Sequence, residues 1–314
     1  PRLERRLAGG AQGVEAVDRY SLRFRLARPM IRFPRLLAAP QTAVLPQEAI
    51  ERYGREIASH PVGTGPYTLA EFNPASQWVF VRSPVYRREG RPLPADRLVV
   101  TVTPDAAIPR EQGRERPLAV LQLEFRFSGS PQAQLLSGNK LLRQALSQAI
   151  DLPTSNPAQG LIPPGYAGSD HKWVNPNRAA GVQRARETLA RAGFPDGLGL
   201  PVFELAAGDG HETLADGVVR DLARIAVKVE KGALKPALVL ALNAADDADP
   251  EGLFSVFRSP NTAGYSNPEL NRLLDRVETL PDSPARSSLL RQLDVLVADD
   301  CPAIFLSYSR SASF

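Results

Sequence analysis

The side chains best suited to chemistry crowd into one acidic stretch, Asn243-Ala244-Ala245-Asp246-Asp247-Ala248-Asp249-Pro250, with Glu251-Gly252 directly after it. Metal ligation is the first chemistry such a stretch suggests. Asp247, Asp249 and Glu251-Gly252 follow the early spacing of a calcium loop, but Arg258 stands at the twelfth position, where a bidentate carboxylate is required. Cys301 is the single cysteine, so neither a thiolate metal site nor a disulfide framework can form within the chain. No metal is expected. Two readings stay open. One is a solvated turn closing a strand, with Asp249-Pro250 starting the next segment. The other is a carboxylate presented at a strand's C-terminal end, where open α/β sheets place ligands, and where an Asp can pair with a ligand's ammonium group. Trp78 and Trp173 could wall a pocket, although packing in a core or rim is the more ordinary role for either.

No catalytic constellation accompanies these residues. His60, His171 and His211 are far apart in the chain, and none has a serine or cysteine nucleophile nearby. His60 precedes a proline and reads as a turn residue. Gly63-Thr64-Gly65 resembles the start of a dinucleotide loop, but Pro66 follows and Thr68 stands where a third glycine belongs. The Lys-Ser/Thr pair of a phosphate loop is missing as well. The chain therefore reads as a non-enzyme without a cofactor. Its charge, 38 basic against 34 acidic residues for a net +4, comes from 33 arginines and only five lysines, alternating with acids. No basic cluster with interleaved aromatics is present, which argues against nucleic-acid binding.

The elements that must hold these residues follow from hydrophobic spacing. With 314 residues and 43% hydrophobic content, the chain can build one large or two ordinary cores. Tyr20, Leu22, Phe24 and Leu26 alternate with polar residues, so 14–26 reads as a half-buried strand. A short helix begins at Pro46. The sequence Pro61-Val62-Gly63-Thr64-Gly65-Pro66-Tyr67 reads as a rigid turn feeding a strand at 67–73. In this reading the glycines are demanded by the backbone, and Gly63→Val damages folding. Strands near 77–82 and 98–103 follow, then an irregular polar stretch at 104–117. Beyond an alternating strand from Ala119 to Phe127 the pattern turns to α/β. Helices are expected over 139–150, 179–192 and 212–225, with strands at 201–206 and 237–242. Two helices near the end open at Asn267-Pro268 and Ser283-Pro284, and a strand runs from Pro302 to Tyr308.

Eight ordered blocks give the chain a family resemblance. Val14-Glu15-Ala16-Val17-Asp18, Pro61-Val62-Gly63-Thr64-Gly65-Pro66-Tyr67 and Arg82-Ser83-Pro84-Val85-Tyr86 come first. Leu142-Arg143-Gln144-Ala145, running to Ala149-Ile150-Asp151, is the fourth; Ile162-Pro163-Pro164-Gly165 and Ala192-Gly193-Phe194-Pro195 follow. Tyr265-Ser266-Asn267-Pro268 and Cys301-Pro302-Ala303-Ile304 complete the order. In this sequence of motifs the chain resembles the family 5 extracellular solute-binding proteins of ABC transporters, the oligopeptide, dipeptide and nickel-binding type.

The resemblance implies an α/β, two-lobed fold of the type II periplasmic binding proteins, here incomplete at both ends. Residues 1–125 would belong to the first lobe, with 1–60 as a peripheral subdomain and 61–125 as main-sheet strands. Residues 126–300 would form the second lobe, and 301–314 would return to the first. The implied function is capture of a peptide-like or other small solute between the lobes and delivery to ABC permease subunits in the membrane. The protein would be a monomer in the periplasm, or anchored outside the cytoplasm, although this chain opens at Pro1 with no signal peptide. In dipeptide-binding relatives a loop of the form W–D–DP pairs its Asp with the peptide's ammonium group. Laid on this chain, that Asp falls on Asp246, with Asn243 at the Trp position. Asp246, Asn243, Asp247 and Trp173 are thus the expected ligand-binding residues. Two other functions suit the same frame: a ligand-sensing domain of a transcriptional regulator, and a degenerate scaffold that binds a protein partner.

Overall fold

The computed structural model describes residues 7–37, 42–73, 76–86, 93–101, 119–151, 156–169, 175–177, 181–208, 210–232, 234, 236–245 and 249–309. In chain order the strands are β1 (Val14–Asp18), β2 (Ser21–Phe24), β3 (Tyr67–Asn73), β4 (Gln77–Arg82), β5 (Arg97–Thr101), β6 (Ala119–Phe125), β7 (Phe203–Ala207), β8 (Val229–Lys231), β9 (Leu238–Ala244) and β10 (Ala303–Ser309). The helices are α1 (Phe33–Leu36), α2 (Gln47–Tyr53), α3 (Pro131–Gly138), α4 (Lys140–Ala149), α5 (Gly181–Arg191), α6 (Glu212–Ala223), α7 (Glu251–Phe254), α8 (Pro268–Glu278) and α9 (Pro284–Asp300). Two compact units result, one of Arg35–Arg114 and one of Pro1–Pro34 with Glu115–Phe314.

The larger unit is built on a five-stranded sheet in the order β10-β6-β9-β7-β8. β6 runs antiparallel to both β10 and β9, while β7 is parallel to β9 and β8. Val120, Leu123 and Phe125 of β6 are all fully buried, as are Phe203 and Leu238, so the sheet is covered on both faces. The helices close over it through apolar stripes, such as Leu270, Leu273, Leu274 and Val277 on α8. Their starts are the expected ones. Asn267 accepts from the backbone N–H of Glu269 and Leu270, at 3.0 and 3.2 Å, and Ser283 accepts from that of Arg286 at 3.2 Å.

Arg143 explains why its block holds an arginine on a buried helix face. Its guanidinium donates to the carbonyls of Leu136 (2.6 Å), Asp300 (2.7 Å) and Cys301 (3.1 Å), and it pairs with Asp300 Oδ1 at 3.0 Å. One buried fork thus joins the ends of α3 and α9 to α4.

Several elements depart from the spacing argument. The stretch 14–26 is a hairpin, because the Asp18 carboxylate accepts from the Tyr20 N–H at 2.7 Å and turns the chain. Its residues are largely exposed, Leu22 by 60% and Tyr20 by 87%. The partition expected at 125/126 and 300/301 also differs from the sheet: β6 and β10 are strands of the same sheet as β7, β8 and β9.

The smaller unit is a meander, β3-β4-β5, with α2. The turn before it does feed β3 at Tyr67, and the Tyr67 hydroxyl donates to Ala95 O at 2.9 Å. Its glycines are a correction. Neither Gly63 nor Gly65 has positive φ, and a Cβ at either would meet nothing within 4 Å. The turn is shaped by Pro66, whose carbonyl accepts from Ser83 N at 2.9 Å.

Candidate functional site

The acidic stretch lies at the C-terminal end of β9, and two clamps fix the described residues on either side of it. The first is Asn243, which is buried and whose Nδ2 donates to Leu253 O at 2.9 Å; its Oδ1 has no hydrogen-bond partner among the described residues. The second is Asp249. Arg286 Nη2 donates to both its carboxylate oxygens, at 3.1 and 3.0 Å, and Arg32 pairs with it as well. Asp249 Oδ1 also accepts from Glu251 N at 3.0 Å, starting α7.

Arg286 is only 2% exposed, and it further contacts Glu251 Oε2 at 3.1 Å and Asp282 Oδ1 at 3.7 Å. Arg32 pairs with Asp282 too. This network reaches α8 through the N-terminal segment: Arg28 and Arg258 meet Glu278 at 2.6 and 3.1 Å, and Ile31 N donates to Glu278 O at 3.4 Å. Buried charges of this kind are tolerated when paired and hydrogen bonded on both sides. Asp249 and Glu251 are therefore engaged by arginine, and no cluster suited to a metal occurs among the described residues.

Asp246, Asp247 and Trp173 lie outside the described residues, as does His171. Trp78 lies on β4 in the smaller unit, opposite Phe72 with ring centroids 5.5 Å apart. His60 stacks on Tyr53 at 4.4 Å, in keeping with a turn residue, and His211 precedes α6 without capping it. Spacing alone missed Arg286. The available signal was a charged residue three positions before Leu289 and seven before Leu293, on the face of α9 that faces the core.

A second buried carboxylate, Asp294 on α9, holds the proline-glycine loop. Its Oδ1 accepts from Leu161 N at 2.6 Å, and a Cβ on Gly160 would come within 2.5 Å of its Oδ2. Burial raises its pKa from 3.8 to about 7, against the opposing pull of the Leu161 and Ile162 N–H groups. The Tyr308 hydroxyl braces the same loop at Gly160 and Ile162.

The sheet order and its helical cover give this chain the fold of the type II periplasmic binding proteins. OppA of Burkholderia pseudomallei superposes with a TM-score of 0.71 at 22% identity, over 94% of this chain and 69% of that one. DppA of Helicobacter pylori, an ABC transporter-associated periplasmic binding protein solved with the peptide STSA, gives 0.72 at 20% identity, over 95% and 68%. Residues 6–113 match the family described as bacterial extracellular solute-binding proteins, family 5 middle. A glutathione-binding protein, GsiB of Escherichia coli, is 29% identical over 260 residues, which is 70% of this chain and 48% of that protein. The chain thus spans about half the length of that relative. Over these residues the chain is similar to the family 5 solute-binding proteins. No helix among the described residues is long and apolar enough to cross a membrane.

Proposed function

We propose that this chain is the substrate-binding component of an ABC importer, taking up a peptide-like or other small solute outside the cytoplasm. Its similarity to a glutathione-binding protein and to a periplasmic binding protein solved with the peptide STSA supports that class of ligand. The observation that carries the reading is the double clamp around the β9 loop, Asn243 to Leu253 O on one side and Asp249 to Arg286 on the other. Such clamps hold Asn243 and Asp249, the residues flanking Asp246 and Asp247, before the ligand arrives, so less order is lost at these two positions on binding. On this reading Asp246 pairs with the ligand's ammonium group, and Asn243, Asp247 and Trp173 are the other ligand-binding residues. The sheet unit is then the second lobe, and the β3–β5 unit part of the first. Capture between the lobes and delivery to a permease follow, since a ligand touching both lobes favours closure by its differential affinity.

Two measurements test this. Native mass spectrometry of protein isolated from its host should show a co-purified amine-bearing solute. Titration calorimetry with that solute should then show Asp246→Ala binding roughly tenfold or more weakly, the loss of one charge-assisted contact. Unaltered affinity in a folded Asp246→Ala protein would remove the ammonium reading.

A further inference from the structure

A cavity of about 370 Å³ opens at the other end of the same sheet. β6 pairs Ala119 with Ala244 beside the acidic loop and Phe125 with Leu238 at its far end. At the strand rise of about 3.3 Å per residue the two ends are about 20 Å apart. The cavity is lined by Glu124, Phe127, Phe257 and Tyr265, with the 260–263 loop and Pro302 at its rim.

Three features of this cavity concern charge. Glu124 is the lone ionised side chain of its lining among the described residues. Its Oε1 accepts from the wholly buried Gln122 at 3.0 Å, which fixes the carboxylate in place. Among the described residues its Oε2 meets only Arg126 Nη1, 3.7 Å away and too distant for a hydrogen bond. Around it stands an aromatic wall: Tyr265 meets Phe127 at 5.3 Å and Phe257 at 6.2 Å between ring centroids. The Tyr265 hydroxyl donates to Asp300, and burial followed by that bond raises its pKa, so the ring presents a neutral face.

The loop that closes the cavity is also fixed. Asn261 bonds Tyr265 through both ends of its amide, at 2.8 and 3.1 Å, and Ser259 N donates to Asn271 Oδ1 at 3.2 Å. Gly264 has φ +76°, and a Cβ there would lie 2.6 Å from Ser128 Oγ.

We propose that this cavity is a binding site for an organic ammonium ion, distinct from the β9 loop. A fixed carboxylate with one under-used oxygen beside aromatic faces attracts a weakly hydrated cation twice, by Coulomb interaction and through the ring quadrupoles. An anionic or purely apolar ligand would gain from neither. The site does not depend on the solute-binding reading.

Choline and its neutral isostere 3,3-dimethylbutan-1-ol separate charge from shape. In a titration of the whole chain followed by amide NMR, choline should saturably shift Thr262 and Ala263. The alcohol should bind roughly tenfold more weakly. Glu124→Gln should weaken choline by a similar factor and leave the alcohol unchanged. Thr262→Trp, an exposed rim substitution, should block both without altering the melting temperature. Equal affinity for choline and the alcohol, choline binding unaffected by Glu124→Gln, or no saturable shift with choline would each overturn the assignment.

Discussion

Arg286 is the residue whose removal should be felt most. Its guanidinium is almost wholly buried, and it is bonded to both oxygens of Asp249 and to Glu251. Arg286→Met keeps the apolar length of the side chain but strands two buried carboxylates, a change that typically costs about 3–5 kcal/mol. Arg32 also reaches Asp249, which places the expectation near the lower figure, about 3 kcal/mol by urea denaturation. A loss under about 1 kcal/mol would mean the network is solvated. Asp294 tests the opposite case, a buried carboxylate that meets backbone N–H groups and no cation among the described residues. Its pKa is raised to about 7 in the folded chain, so the folded state favours its proton. That contribution is complete below about pH 4 and is lost as pH rises through 7. The melting temperature of Asp294→Asn minus that of the parent protein should therefore grow between pH 4.5 and 7.5. A difference that stays flat across this window would place the carboxyl in water. Spacing can place such a charge on the core-facing side of α9 but cannot name what it meets there, because partners such as Asp249 and Leu161 lie far away in the chain.

Long elements with a local cause were legible, and short ones were not. The starts of α8 and α9 followed from Asn267-Pro268 and Ser283-Pro284, whose side chains cap their own helices. β3 and β4 followed from alternation and lie at 67–73 and 77–82, as expected. By contrast α3, α7 and β8 are short and offer too few positions for a period to show, although Ser130 Oγ accepts from Ala133 N at 3.1 Å before α3 and Asp249 Oδ1 from Glu251 N at 3.0 Å before α7. The glycine argument failed at Gly63 for a related reason. A Gly-Thr-Gly-Pro string suggests unusual backbone angles, yet the proline alone shapes that turn, whereas Gly264 is required by Ser128 across the fold. The two positions should differ when each is changed to alanine. Gly264→Ala meets both positive φ and a clash and should cost about 1–3 kcal/mol, while Gly63→Ala should stay within about 0.5 kcal/mol. Chemical denaturation of the pair gives the comparison, and equal losses would contradict the local geometry.

At the scale of the molecule the two units differ in how much they bury. The sheet unit carries nearly all of the described core, from Val120 and Phe125 on β6 to Val297 on α9 and Phe305 on β10. In the smaller unit only Ala49 and Val79 are buried among the described apolar residues, while Leu98, Val99 and Val100 of β5 are exposed by 38%, 50% and 46%. The family resemblance and the strand pattern were both legible in the sequence, but this imbalance was not. The apolar, β-branched run Leu98-Val99-Val100 says that a strand forms; it cannot say whether anything covers it. Local stability follows buried apolar contact, so opening free energies should rise from the meander to the sheet. Native-state hydrogen exchange measures this directly. Amides of β3, β4 and β5 should exchange through openings well below the global unfolding free energy, whereas those of β6 and β9, central in the five-stranded sheet, should exchange only with global unfolding. Protection of β4 equal to that of β6 would show the two units unfolding as one.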